Sequence, residues 1–172
     1  MKDISTIVIL CGGKSTRFGL NKAFLKIGSI TLIEYIIDKV KKYFKNVFVI
    51  VKKTDDAVKL QNLLKKVTVL EDRVQETFAP IIGLLTAVEE ISEPVFFVLS
   101  CDTPLVDLNI IDIIIKSLGD HNAVIPRWPN GFIEPLFAVY RREPLRKSIL
   151  EVLSNGKLDL NSVVFKIPRI LY

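Results

Sequence analysis

The sequence changes hydrophobic period again and again along its length, and that alternation limits the fold more than any single motif. Thr6–Leu10 (TIVIL) is a continuous apolar, β-branched run of strand length, the pattern of a parallel strand covered on both faces. Thr31–Phe44 then places Leu32, Ile33, Ile36, Ile37, Val40, Tyr43 and Phe44 at spacings of three and four. That predicts a helix with one apolar stripe and Thr31 as its N-cap. Asn46–Val51 predicts a second buried strand, followed by a helix capped by Thr54 and running through Leu64, with Asp55 and Asp56 in its first turn. Val67–Leu70, Val95–Leu99 and Ala123–Ile125 read as further strands, and Ile81–Ile91, Asp107–Leu118 and Glu143–Leu153 as further helices. Ile110, Ile111, Ile114, Ile115 and Leu118 share one side of the helix over Asp107–Leu118; Gly119 ends it, and Asn155-Gly156 ends the helix over Glu143–Leu153. Phe132–Tyr140 is expected to return as a strand that is bent or at an edge, because Pro135 interrupts it. The tail Leu158–Tyr172 shows neither period. Alternation without internal repeats or linkers predicts one α/β domain over residues 1–172, three-layered (α/β/α) with a mostly parallel, Rossmann-like sheet.

Composition narrows the class further. With 172 residues, 49% of them hydrophobic and 25% charged, the chain can build its own core, which excludes disordered and low-complexity readings. No apolar run approaches the ~20 residues of a membrane span, and no secretory pattern precedes the first glycines, so a cytoplasmic location without membrane contact is expected. Two Cys and one His cannot supply a zinc site of the usual kind or a disulfide framework. The net charge of +5 hides an asymmetry: residues 1–66 hold 14 Lys/Arg against 5 Asp/Glu, and residues 67–172 hold 10 against 14. A basic amino-terminal half suits an anionic ligand. Nucleic acid is not expected, since no basic stripe is interleaved with aromatics. Lys39, Lys41, Lys42 and Lys45 sit late in a predicted helix, where cations suit the dipole. Lys14, Arg17 and Lys22 differ, because they lie in a glycine-rich loop.

That loop, Leu10 to Ala23, follows the first strand, where ligands of open α/β sheets bind. Gly12 and Gly13 let backbone N–H groups approach a phosphate. Arg17 can fork onto two phosphate oxygens, while Lys22 acts as a mobile point charge. Two familiar phosphate loops are excluded by spacing. Gly13-Lys14-Ser15 resembles the end of a P-loop, but Val8 stands where that loop needs its first Gly. Gly12, Gly13 and Gly19 do not form G-x-G-x-x-G leading into a helix. The pattern present, Leu10-x-Gly12-Gly13-x-Ser15-x-Arg17-x-Gly19-x-x-Lys22-Ala23, resembles the signature of nucleotidyltransferases with the nucleotide-diphosphosugar-transferase fold. Among them it looks most like the molybdenum cofactor guanylyltransferase (MobA-like) family. Asn21 stands where sugar-nucleotide and isoprenoid-pathway relatives often have Pro.

The resemblance extends to two more predicted strand ends. Asp72, after Val69-Leu70-Glu71, matches an Asp that contacts the nucleotide base in the family; a carboxylate accepts from both the ring N–H and the exocyclic amine of guanine. A solvated loop carboxylate or a helix cap is the alternative for Asp72. Ala79-Pro80-Ile81-Ile82-Gly83 matches the family's Gly-Pro-Leu-small-Gly at Pro80 and Gly83 and departs from it at Ala79 and Ile82. Ser100-Cys101-Asp102-Thr103-Pro104 matches the Cys-Asp-x-Pro whose aspartate holds Mg²⁺ in relatives; helix capping by Asp102 or Thr103 is the alternative. Cys11 and Cys101 are then neighbours and free thiols. His121 reads as incidental. Trp128 either stacks on a flat pterin or shields a loop.

The resemblance thus implies transfer of GMP from GTP to molybdopterin, with release of pyrophosphate. It assigns catalysis to Arg17, Lys22 and Asp102, nucleotide binding to Leu10, Cys11, Gly12, Gly13, Lys14, Ser15, Arg17, Lys22, Asp72 and Asp102, and the metal to Asp102. It also implies a monomer or weak homo-oligomer making transient contacts with other molybdenum cofactor biosynthesis proteins. The alternatives are a relative using CTP or another phosphorylated acceptor, and a GTP-binding regulatory module without turnover. The family usually carries an Asn-x-Asn-Thr-Pro-like segment after its last strand that helps complete the crevice, and the sequence shows none up to Tyr172.

Overall fold

The computed structural model describes residues 4–12, 21–74, 77 and 79–172. Five runs with strand patterning become the body of one sheet: β1 (Thr6–Leu10), β4 (Asn46–Val51), β5 (Thr68–Glu71), β6 (Val95–Ser100) and β8 (Phe137–Arg141). Two short strands, β7 (Ala123–Val124) and β9 (Ile170–Leu171), complete it in the order β5-β4-β1-β6-β8-β7-β9. β5, β4, β1 and β6 are mutually parallel; β8 runs antiparallel to β6 and to β7. Strand order reverses at β1, since the chain moves outward through β4 and β5 and then returns to β6 on the other side. The sheet is therefore mostly parallel, as the unbroken apolar runs of β1 and β6 require.

Helices cover both faces. α1 (Leu32–Val40), α2 (Thr54–Leu63) and α4 (Leu108–Lys116) pack with Ile7, Ile9, Val49, Val51, Phe97 and Leu99. On the opposite face α3 (Pro80–Glu90), α5 (Arg142–Ser154) and α6 (Leu160–Lys166) pack with Val8, Leu10, Ile50, Phe96 and Val98. The period of two along each strand deals alternate residues to the two faces. It continues past the strand ends. Gly12, Lys52 and Asp72 each lie two residues beyond Leu10, Ile50 and Leu70, on the α3 side.

Thr31 caps α1 as expected, accepting from the backbone of Glu34, while Glu34 returns a contact to Thr31 N in a full capping box. Thr54, in contrast, is not a cap. It is the first residue of α2, Lys53 takes the cap position, and the Thr54 hydroxyl donates to Glu71 instead. α1 stops at Val40, with a turn before Phe44. The expected strand over Phe132–Tyr140 shortens to β8, and Ile125 lies outside β7. Pro135 stands before β8, its carbonyl accepting from the buried Tyr140 hydroxyl at 2.8 Å. Ile110 is 48% exposed, so the inner face of α4 is narrower than its apolar residues suggest. The tail forms α6 and β9, and two elements of two residues each, β2 (Lys26–Ile27) and β3 (Ile30–Thr31), make a hairpin around Gly28. Gly28 has φ +63°, which a side chain would strain. Among the described residues, no helix is long and apolar enough to cross a membrane.

Candidate active site

The carboxyl ends of β5, β4, β1 and β6 surround a cavity of about 210 Å³ floored by Leu10 and Ile50. Gly12, Asp72, Gly83 and Asp102 line it. Parallel pairing aligns these ends: Leu10 registers with Ser100 and Ile50, and Val51 with Glu71. A Cβ placed on Gly12 would lie 3.5 Å from Asp72 Oδ2, and one on Gly83 3.6 Å from Asp72 Oδ1. Both glycines therefore leave room beside the two carboxylate oxygens. At Gly83 the Cβ would also press on Leu10 Cδ2 at 3.1 Å, so this glycine serves helix–strand packing as well.

Asp72 is 6% exposed, and its backbone N–H donates to Val51 O. Burial pushes its carboxyl up to about 6, against the opposing pull of the Lys52 charge and the Thr86 hydroxyl. It is neither a solvated loop carboxylate nor a cap, since Ala79 occupies the cap position of α3 without a side-chain bond.

Asp102 sits at the far wall. Its Oδ1 accepts from Ser100 Oγ at 2.6 Å and its Oδ2 from Lys22 Nζ at 3.0 Å. Burial opposes ionisation there, but the Ser100 and Lys22 hydrogen bonds and the Lys22 charge outweigh it and hold the carboxyl below its ordinary value. Asp102 and Thr103 cap nothing, because α4 takes Asp107 as its N-cap. Lys22 is presented by a single 3₁₀ turn, Lys22–Phe24, pinned by the fully buried Ala23. Asn21 caps that turn, donates to Cys11 O at 3.0 Å, and reaches Asp56 of α2 at 3.0 Å. It thereby ties together the two ends of the glycine-rich loop. Gly13, Lys14, Ser15 and Arg17 lie outside the described residues.

Cys11 and Cys101 are adjacent, as expected, and free; their thiols lie in the core on the sheet face away from α3. Burial, then contact with Cys101, pushes the Cys11 thiol well up, so it is no nucleophile near neutrality. His121 Nδ1 lies 3.2 Å from Leu118 O, and the His121 carbonyl accepts from Arg141 Nε at 2.9 Å.

A second cavity of about 830 Å³ opens on the other side of Asp102. Ser100, Asp102 and Leu136 line both. Its walls are largely apolar, with Ile110, Trp128 and Phe137, and Arg127 is its one cation among the described residues. Trp128 is 57% exposed and its indole N–H donates to Glu134 at 2.8 Å. Sequence reasoning passed over Ser100 and Lys52. Ser100 was detectable from its i, i+2 spacing to Asp102 at a strand end. Lys52 carried no such signal.

Comparison with known proteins identifies the family and the fold. A family model described as the MobA-like NTP transferase domain matches residues 7–166. The chain is 33% identical over 168 residues to the "probable molybdenum cofactor guanylyltransferase" of Pyrococcus horikoshii, covering 95% of this chain and 83% of that protein. It is 30% identical to the protein of the same description from Methanothermobacter thermautotrophicus, covering 95% and 84%. The crystal structure of molybdopterin-guanine dinucleotide biosynthesis protein A from Archaeoglobus fulgidus shares the fold, with a TM-score of 0.80 at 18% identity over 97% of this chain and 82% of that one. Fold and crevice thus place the molecule among the nucleotidyltransferases. More narrowly, the chain belongs to the family of MobA-like NTP transferase domains.

Proposed function

We propose that this enzyme transfers GMP from GTP to the terminal phosphate of molybdopterin, forming the guanine dinucleotide and pyrophosphate. The observation that carries the reading is the meeting of two cavities at Asp102, a small one with the Asp72 carboxylate in its wall and a larger one with Trp128 in its wall. Guanine lies against Asp72, whose two oxygens accept from the ring N–H and the exocyclic amine. The triphosphate runs toward Lys22 and Asp102; the family resemblance assigns Gly12, Gly13, Lys14, Ser15 and Arg17 to binding it. The pterin occupies the larger cavity, with Trp128 as its flat platform. An acceptor phosphate oxygen attacks the α-phosphorus in line, the bond to the β-phosphate oxygen breaks, and pyrophosphate departs. The protein's part is positioning and charge neutralisation.

The Asp102 carboxylate fits Mg²⁺ by donor chemistry, being an ionised oxygen ligand at the junction of the cavities. Among the described residues there is no cluster of three acidic, His or Cys groups to hold a metal alone, so phosphate oxygens and water would complete its shell. When bound, the ion neutralises phosphate charge. Lys22 pairs with Asp102 at 3.0 Å where both are about half exposed. Such a pair is worth about 1 kcal/mol or less, so Lys22 exchanges the carboxylate for a phosphate at little cost. The enzyme forms a single domain over residues 1–172 and acts in the cytoplasm as a monomer or weak homo-oligomer, with no nucleic acid partner. The test is mass spectrometry after incubation with GTP, Mg²⁺ and molybdopterin. A guanylylated pterin is expected, and unchanged pterin with an active reference enzyme alongside would refute the assignment.

A further inference from the structure

Among the described residues Lys52 is the one buried cation, 3% exposed at the end of β4. An ammonium taken out of water costs several kcal/mol unless it is partnered. Its Nζ donates to the main-chain carbonyls of Val74 and Thr77, in the segment leading from Asp72 to α3. The β4–β5 register, with Val51 opposite Glu71, sets Lys52 beside Asp72, and the two attract electrostatically. Its Cβ would also be 3.9 Å from a Cβ on Gly12. Lys52 thus bears on the small cavity in three ways: its Nζ holds the Val74 and Thr77 carbonyls, its charge acts on Asp72, and its Cβ lies beside Gly12.

Thr86 Oγ1 is 3.5 Å from Asp72 Oδ1 but 3.1 Å from Ile82 O, and the hydroxyl has one proton to give. Arg73, next in the chain, turns away to Glu90 at 2.6 Å. Asp102, across the same cavity, is a like charge.

We propose that Lys52 is a specificity-determining positioning residue: by clamping the Val74 and Thr77 carbonyls and setting its charge beside Asp72, it keeps that carboxylate charged and aimed as a two-oxygen acceptor for guanine. The inference rests on the proposed use of GTP. A neutral Asp72 could accept with one oxygen only and would present a proton to the ring N–H. Selection between guanine and a base lacking the exocyclic amine therefore depends on a lysine that does not itself touch the nucleotide.

Two variants separate clamp from charge. Lys52→Gln keeps a donor for the carbonyls and loses the cation; Lys52→Met loses both. Calorimetric Kd values for GTP and for ITP, which lacks the exocyclic amine, are measured with Mg²⁺ at pH 8.0 and 6.5, together with kcat. Lys52→Gln is expected to weaken GTP binding by about tenfold at pH 6.5 and less at pH 8.0, to bring the GTP and ITP constants within about twofold, and to leave kcat at saturation within about threefold. Lys52→Met follows the same direction more strongly; should it not fold, Lys52→Gln decides. A wild-type GTP/ITP ratio in Lys52→Gln at both pH values would overturn the proposal. Asp72→Asn locates the failure. If it collapses the ratio while the Lys52 variants do not, the Lys52 inference alone is wrong. If it too leaves the ratio intact, the placement of guanine against Asp72 is wrong.

Discussion

The two cavities that meet at Asp102 are built in opposite ways. The smaller stands on the ends of four hydrogen-bonded strands, and its buried carboxylate, Asp72, is held by the β4–β5 pairing and the neighbouring Lys52 charge. The larger is walled by the α4 face and by the Pro126–Phe137 segment, with exposed apolar groups such as Leu105 at 85% and Trp128 at 57%. A strand end is fixed by its neighbours' ladder to within a fraction of a residue; a loop wall is fixed by a few turns. The difference suits a base pocket that must discriminate by hydrogen bonds and an acceptor pocket that holds a large flat ring by contact area. It also assigns the costs, because the discriminating side must bury charge.

The comparison can be broken first at the shared wall. Asp102→Asn is expected to reduce Mg²⁺-dependent pyrophosphate release by about 10²–10³-fold while GTP still binds, and an unchanged rate would remove Asp102 from the chemistry. Next comes the base side. Asp72→Asn should weaken GTP binding by roughly 10–100-fold and leave the acceptor KM alone. The same substitution should stabilise the ligand-free protein. The folded carboxyl titrates near 6, above the ordinary value of 3.8, so its stabilising protonated form is fully present below 3.8 and lost as pH rises through about 6. Ligand-free wild type should therefore gain stability from pH 7 to pH 5 by its Asp72 contribution, on the order of 1 kcal/mol, as GTP affinity falls over the same range. Denaturant titrations of wild type and Asp72→Asn at both pH values check this; equal pH dependence in the two would refute it.

On the acceptor side Trp128→Ala should raise the acceptor KM about tenfold through lost stacking, with GTP binding and melting temperature unchanged. A rise in the GTP Kd instead would exchange the occupants of the two cavities. The smallest effect on binding is expected at Gly12→Ala. The added methyl meets nothing closer than 3.5 Å, and Gly12 does not require the left-handed backbone region. Its melting temperature should shift by no more than about 2 °C while GTP affinity falls several-fold, because the methyl stands in the cavity rather than in the core.

How much of this was legible in the sequence divides along the same line. β1 and β4 stand where continuous β-branched runs place them, because strands buried on both faces leave no polar positions to confuse the period. Asp72 and Asp102 were findable through their match to the family's motifs just beyond predicted strands, more than through any period of their own. Lys52 was not, since it reads as half of a Lys-Lys pair at a strand end. Its burial is created by β5 and by carbonyls more than twenty residues away. Ile110 belongs by spacing to the inner stripe of α4 yet lines the large cavity, 48% exposed. Thr54 had the residue type for a cap and is drawn instead to Glu71 across the sheet edge. β2, β3 and β9, with two residues each, are too short to show any period.

The central claim is that guanine occupies the pocket of Asp72 and Gly83 while the triphosphate reaches Asp102 and Lys22. A crystal structure of the protein with GTP and Mg²⁺ tests it most directly. It should show both Asp72 oxygens within hydrogen-bonding distance of the ring N–H and exocyclic amine, and Lys22 moved from Asp102 to a phosphate. Guanine stacked on Trp128, with Asp72 left to water, would contradict the account.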